Sequence, residues 1–317
     1  MKRLLWILPV LLLLLVGCDT QQQVGVCYRD CDDALTDQYR QELEQSLRDA
    51  GYAVTVMDAG NDQSKQDRQV AELIEDKTDI LILEPVMTSA LDGVIQQAQE
   101  AAVPVVFVNR EPGSEILDSW DRLCYVGCDT AQPGVLQGQM VGNLSNGGDL
   151  NGDGILSYAI LAGPENHLDA QLRSDGCLQA LSDSGVQTDC LATEYGDWSR
   201  EDAQRRCAKL LAAFGKDLEV IFCNSDELAL GAIDAIRDGG RTVGENIYLF
   251  GIDGQRQSLF LIRSGDLTGT VSLNISAQTE AVIDAVRSLL TGKTPEKASY
   301  ADHVVIDASN VEEYIQE

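Results

Sequence analysis

The sequence predicts an α/β protein of two doubly wound parallel-sheet domains, and three observations carry that expectation. The chain has 317 residues, which at roughly 150 per domain suggests two domains with sizeable cores. From Val24 short apolar runs alternate with amphipathic stretches of roughly ten to sixteen residues, the signature of parallel βα units. The alternation begins again near Ser157. No Pro-, Ser- or Gly-rich linker intervenes, which suits crossings made directly from one sheet to the other.

The first 17 residues read as a signal peptide. Lys2 and Arg3 form a basic start, 4–16 is apolar, and Gly17 precedes Cys18. The apolar run is too short to span roughly 30 Å of hydrocarbon. Leu-Val-Gly-Cys at 15–18 reads as a bacterial lipobox, in which Cys18 is lipidated and becomes the new N-terminus. An uncleaved anchor is the alternative. No later run approaches roughly 18 apolar residues, so the expectation is an exported chain, lipid-anchored to the outer face of the cytoplasmic membrane or periplasmic. In the first domain, strands are expected at 24–28, 53–58, 80–84, 105–109 and 123–127. Helices at 36–50, 63–76 and 89–101 lie between the first four. The second domain has expected strands at 157–162, 188–195, 220–222, 248–251 and 269–273, with helical stretches such as 199–214 and 226–238. Open parallel sheets bind ligands outside the carboxyl ends of their strands, so two facing domains make a cleft with strand ends on both sides.

Charge narrows the partners. The net charge is −28, and loss of Lys2 and Arg3 takes the remainder to near −30. Such a surface repels phosphate backbones and anionic membranes, so no nucleic-acid partner is expected. After Cys18 come Cys27, Cys31, Cys124, Cys128, Cys177, Cys190, Cys207 and Cys223. They read as small core residues or structural bridges, and their pairing cannot be deduced from sequence. The Cys-x-x-x-Cys pairs lack zinc spacing, and only His167 and His303 could assist. With two histidines, no Gly-x-Ser-x-Gly and no phosphate loop, no nucleophile–base arrangement is legible, and no enzyme is expected. Acidic residues are numerous enough that counting does not exclude a carboxylate pair.

Asp149-x-Asn151-x-Asp153-Gly154-x-x-Ser157 begins like an EF-hand loop, with oxygens at positions 1, 3, 5 and 9 and glycine at 6. Ca2+ takes six to eight oxygen ligands. Ile155, at position 7, contributes its carbonyl. Position 12, usually Glu, is Ile160. The bland reading is an acidic surface turn.

Several segments in order resemble the galactose/glucose-binding proteins of bacterial sugar importers. They are Asn-Asp-Gln-Ser-Lys-Gln at 61–66, Pro-Val-Val-Phe-Val-Asn-Arg-Glu-Pro at 104–112, Asp-Leu-Asn-Gly-Asp-Gly at 149–154, His-Leu-Asp-Ala-Gln-Leu-Arg at 167–173 and Gly-Ile-Asp at 251–253. The resemblance covers nearly the whole mature chain. It implies a type I periplasmic binding protein fold with a three-crossing hinge: 19–128 plus 273–302 as the N-terminal lobe and 129–272 plus 303–317 as the C-terminal lobe. It also implies a bound monosaccharide, a structural Ca2+ and delivery to ABC permease subunits. The calcium carboxylate absent from position 12 corresponds to Glu219. Ser157 replaces a longer amide, so a water can intervene there.

Sugar hydroxyls call for planar polar side chains, and the apolar face of a pyranose stacks on an aromatic ring. By resemblance His167, Asp169 and Arg173 contact hydroxyls, Trp198 stacks on the ring, and Asn109 and Asp253 bind further hydroxyls. Asn109 and Asp253 could instead cap turns. Asp33 matches another contact, with Asp32 as its rival because the loop carries an extra residue. Departures are as informative. Leu35 stands where the family closes the sugar's other face with Phe, Ser225 replaces an Asn, and the last Asn falls on Leu273 without a gap or on Asn274 with one. A lost bond of this kind costs about 1–3 kcal/mol, enough to change preference among sugars.

The leading expectation is therefore a monomeric sugar receptor of an ABC importer. The same fold binding a pentose, a modified sugar or a sugar-like signal, with a role in chemosensing, is the alternative. A sugar-responsive transcription regulator would need a basic helix-turn-helix where this chain has a signal peptide.

Overall fold

The computed structural model describes residues 21–31 and 34–315. The readings placed on Cys18, Asp32, Asp33 and the side chain of Leu35 lie outside the described residues. In chain order the first lobe contains β1 (Gln23–Tyr28), α1 (Ala34–Asp49), β2 (Ala53–Asp58), α2 (Gln63–Glu75), β3 (Ile80–Leu83), α3 (Asp92–Ala101), β4 (Val105–Val108), α4 (Ser114–Asp118) and β5 (Leu123–Cys128). The second contains α5 (Gln132–Gln139), β6 (Leu156–Ala162), α6 (Leu168–Asp183), β7 (Thr188–Tyr195), α7 (Arg200–Phe214), β8 (Val220–Cys223), α8 (Asp226–Asp238), β9 (Tyr248–Phe250), α9 (Arg256–Ser264) and β10 (Gly269–Leu273). The chain then gives α10 (Ile275–Leu290) and β11 (Ala298–Ala301) to the first lobe, and β12 (His303–Asp307) and α11 (Val311–Ile315) to the second.

Two six-stranded sheets result, ordered β11-β5-β4-β3-β1-β2 and β12-β10-β9-β8-β6-β7. Every pairing is parallel except β10 with β12. β3, β4 and β8 are buried at every position, as parallel strands covered on both faces must be. In the first lobe, Val24, Val26, Ile80 and Val106 pack with Leu43 and Val282 on one face, while Leu81, Leu83 and Phe107 pack with Val70 and Ala98 on the other. The second lobe repeats the arrangement, with Leu161 and Ile221 packing toward Cys207 and Ile233, and Ile160 and Phe222 toward Cys177. In each sheet strand order reverses beside its first strand, which puts the crevice at the carboxyl ends of β1 and β3, and of β6 and β8.

The chain passes between the sheets at 129–131, at Asn274 and at Asp302. Leu273 is the last residue of β10 in the second sheet, one position later than the lobe boundary read from sequence. The strand itself is where the sequence puts it, but other element ends differ. β4 stops at Val108 because Asn109 takes the left-handed region at φ 59. α3 starts at Asp92, three residues after its expected start, because the chain turns at 88–89, where Ala90 N donates to the Met87 carbonyl. All eight described cysteines are free thiols. Among the described residues no helix is long and apolar enough to cross a membrane.

Candidate functional site

A cavity of about 180 Å3 lies between the lobes, lined by Asn109, Cys128, Thr130, Pro133, Asp169, Arg173, Leu273, Gln278 and His303. Larger hollows exist elsewhere. One of about 900 Å3 on the second lobe runs from Leu150 to Asn246, but it draws on a single lobe and gathers no strand-end polar groups. Asn109, Asp169 and Arg173 thus meet, as the sequence suggests.

Local structure explains each placement. Asn109 follows β4, and its Oδ1 accepts from Gln278 Nε2 at 2.9 Å. Beside it Glu84, buried after β3, has its carboxyl raised by burial, with Arg29 and Asn109 opposing that shift. Asp169 lies in the first turn of α6, where the helix dipole favours a carboxylate. Arg173 lies one turn further. Its Nη1 donates to the Asn224 carbonyl at 2.6 Å and to Asp253 Oδ1 at 3.1 Å. Burial raises the Asp253 carboxyl, and Arg173 opposes that shift. α5 comes close enough to set the height of Arg173. A Cβ on Gly134 would meet the Arg173 carbonyl oxygen at 2.0 Å, so only glycine fits.

Leu273, one of the two positions read for the last amide contact, also lines the cavity, whereas His167, Trp198, Ser225, Asp253 and Asn274 do not. Trp198 packs against Gly163, where an added Cβ would meet its ring at 2.3 Å, and it makes a T-shaped contact with His167, centroids 5.4 Å apart. Trp198 is half-buried and packs against the core of the second lobe. His167 is exposed and is the residue before α6. Ser225 is buried as the N-cap of α8, its Oγ accepting from Leu228 N at 3.3 Å. Asn274 caps α10 through Ala277 N at 3.1 Å. Both hydroxyl and amide are thereby committed to helix ends.

Sequence reasoning missed Gln278, His303, Thr130 and Cys128. All four come from the hinge or from the helix after it. The nearest legible signal was the set of three crossings beside which they lie.

The acidic loop is closed by protein hydrogen bonds. Asp149 accepts from Gly152 N and Gly154 N, Asn151 from Asp153 N, and Asp153 from Ile155 N. Glu219 is fully buried. Its Oε1 accepts from Leu150 N at 2.7 Å and Asn151 N at 2.8 Å, and its Oε2 from Ser157 N at 3.0 Å. Glu219 therefore joins the loop, as the resemblance implies. Among the described residues no three His, Cys, Asp or Glu side chains gather as a metal-binding set. The donors are all oxygen, which suits a hard cation, and Glu219 Oε2, which accepts a single hydrogen bond, keeps a lone pair free.

Comparisons with known proteins agree with this architecture. Residues 24–294 match the family model described as periplasmic binding protein domain. The chain is 31% identical over 277 residues to the D-galactose/methyl-galactoside binding periplasmic protein MglB of Haemophilus influenzae, covering 86% of this chain and 82% of that one. It is 25% identical to a putative rhizopine-binding protein of Rhizobium meliloti, covering 92% of each. Among solved structures, a solute binding protein of Bacillus halodurans with bound myo-inositol superposes with a TM-score of 0.69 at 23% identity, covering 95% of this chain and 99% of that one. One from Actinobacillus succinogenes with bound D-allose gives 0.72 at 20% identity, covering 93% and 100%. With two parallel-sheet lobes, a polar cavity between them and a family match across most of its length, the chain belongs to the periplasmic binding proteins, a family of exported solute receptors rather than enzymes.

Proposed function

We propose that this chain is the receptor of a sugar ABC importer, binding a neutral galactose- or glucose-like monosaccharide between its lobes and presenting the closed form to permease subunits. The observation that carries this reading is the cavity in which Asn109 of one lobe faces Asp169 and Arg173 of the other. A carboxylate, a guanidinium and an amide offer both donors and acceptors to hydroxyls, and charge-assisted bonds are the stronger ones. Closure about the three crossings traps ligand between strand ends, as hinge closure does in two-lobed receptors. The 31% identical relative is named for D-galactose and methyl-galactoside, which supports a hexose.

A second reading keeps the site and changes the ligand to a pentose, a polyol or a modified sugar. It is favoured by Ser225, whose hydroxyl is committed to the α8 cap, and by relatives named for rhizopine, xylitol and ribose. Calorimetric titration with D-galactose, D-glucose, D-ribose, xylitol and myo-inositol separates the two. Tight 1:1 binding of either hexose supports the first reading; binding confined to the others supports the second.

Two finer proposals accompany it. Asp149, Asn151, Asp153, the Ile155 carbonyl and Glu219 would hold a structural Ca2+, with Ser157 reaching it through water. The ion would tie the loop to β8. Melting with Ca2+ against EDTA tests this, and equal midpoints would contradict it. Cys18 would carry the lipid anchor; mass spectrometry of the exported protein tests that, and an unmodified Cys18 would contradict it.

A further inference from the structure

We infer that His303 touches the ligand directly, its Nε2 accepting a hydrogen bond from a hydroxyl of the bound molecule. The inference rests on the sugar-binding reading and adds to it a contact made from the hinge.

His303 opens β12, one residue after the crossing at Asp302, and lines the interlobe cavity with Asp169 and Arg173. Its proton position follows from its neighbours. Gln132 Nε2 donates to Asp302 Oδ1 at 2.7 Å, while Gln132 Oε1 accepts from His303 backbone N at 2.6 Å. A carboxylate can only accept and a backbone N–H can only donate, so the amide cannot be flipped. His303 Nδ1 lies 2.9 Å from that same Oε1. An amide oxygen cannot donate, so Nδ1 must carry hydrogen.

The second ring nitrogen is left over. Nε2 has no protein partner among the described residues and keeps solvent contact, on a ring that lines the cavity. Burial and the Arg173 charge hold the imidazole well below its ordinary pKa, at about 4, with Asp129 and Asp302 opposing. Near neutral pH the ring thus carries one proton, on Nδ1, and Nε2 presents a lone pair. A lone pair selects a donor. A sugar or cyclitol hydroxyl supplies one, whereas a carboxylate or phosphate oxygen would be repelled. The charges nearby point the same way: Arg173 is matched by Asp253, which leaves Asp169 uncompensated among the cavity-lining residues.

The experiment compares the wild type with His303→Asn and His303→Gln by calorimetric titration. Asn keeps a short-arm N–H for Gln132 and removes the acceptor at Nε2; Gln returns an amide oxygen near that position. Each protein is titrated with D-galactose, D-ribose and myo-inositol, then with the monodeoxy analogues of whichever binds. In the wild type, deletion of one particular hydroxyl weakens binding by about tenfold, the size of one hydrogen bond left unmade. In His303→Asn that analogue and its parent bind within about twofold of each other, and His303→Gln recovers part of the preference. A variant still binding with the wild-type analogue profile overturns the role of His303 alone. A wild type binding none of the three overturns the sugar reading and this inference with it.

Discussion

Arg173 shows how one side chain serves both fold and site. Its guanidinium satisfies the Asn224 carbonyl and matches Asp253, a carboxylate at φ 123 just after β9. Arg173→Met should weaken sugar binding at least tenfold by calorimetry. It should also cost about 1–3 kcal/mol of stability, read from denaturant melts, because Asp253 then stays partly buried without its partner. The value sits below that of a fully buried pair because both side chains keep some solvent contact. His303 adds a pH signature. Its folded pKa, about 4, lies below its unfolded value, so the unfolded chain binds more protons between about pH 4 and 6.5. Its contribution to stability is present above that window and is lost as pH falls through it. Buried Asp226 works the other way. Burial, reinforced by Asp253, raises its carboxyl to about 7, so its contribution is present at low pH and is lost as pH rises from about 4 through 7. His303→Asn should therefore melt relatively higher than wild type at pH 4.5 than at pH 7.5; parallel melting curves across that range would contradict the assignment.

At the scale of elements, close packing of α5 on α6 sets where the cavity-lining residues stand. Gly134→Ala would drive a methyl into the Arg173 carbonyl, and overpacking against backbone costs about 1–3 kcal/mol. The expected outcome is a lower melting temperature together with weaker sugar binding. Glu219 plays the corresponding part for the acidic loop. Glu219→Gln replaces an acceptor for three backbone N–H groups with a group that is half donor, so the melting temperature should fall even in EDTA, and any Ca2+-dependent shift should vanish. How far the sequence could be read follows the same division. Strands such as β2 and β7 were legible to the residue because apolar runs are bounded by polar breaks. α5, α9 and α10, by contrast, were not separately foreseen, and β11 is a short half-exposed strand with little apolar signal. Asn109, Asp169 and Arg173 were legible because each belongs to a segment with a family resemblance. Gln278 and His303 were not, because they reach the cavity only through crossings that join segments remote in sequence.

For the whole molecule, the account is of two similar lobes whose facing strand ends make one site. Neither lobe contains it alone: Asn109 and Gln278 belong to the first, Asp169, Arg173 and His303 to the second. Export of so acidic a chain leaves a surface that stays soluble and repels anionic partners. Binding by such a cavity must depend on both lobes together. The most direct test is calorimetric titration of D-galactose into the wild type, Asn109→Ala and Arg173→Met. The account predicts 1:1 binding by the wild type and at least tenfold weaker binding in each variant. Full affinity retained by either variant, with the other impaired, would place the ligand on a single lobe and contradict it.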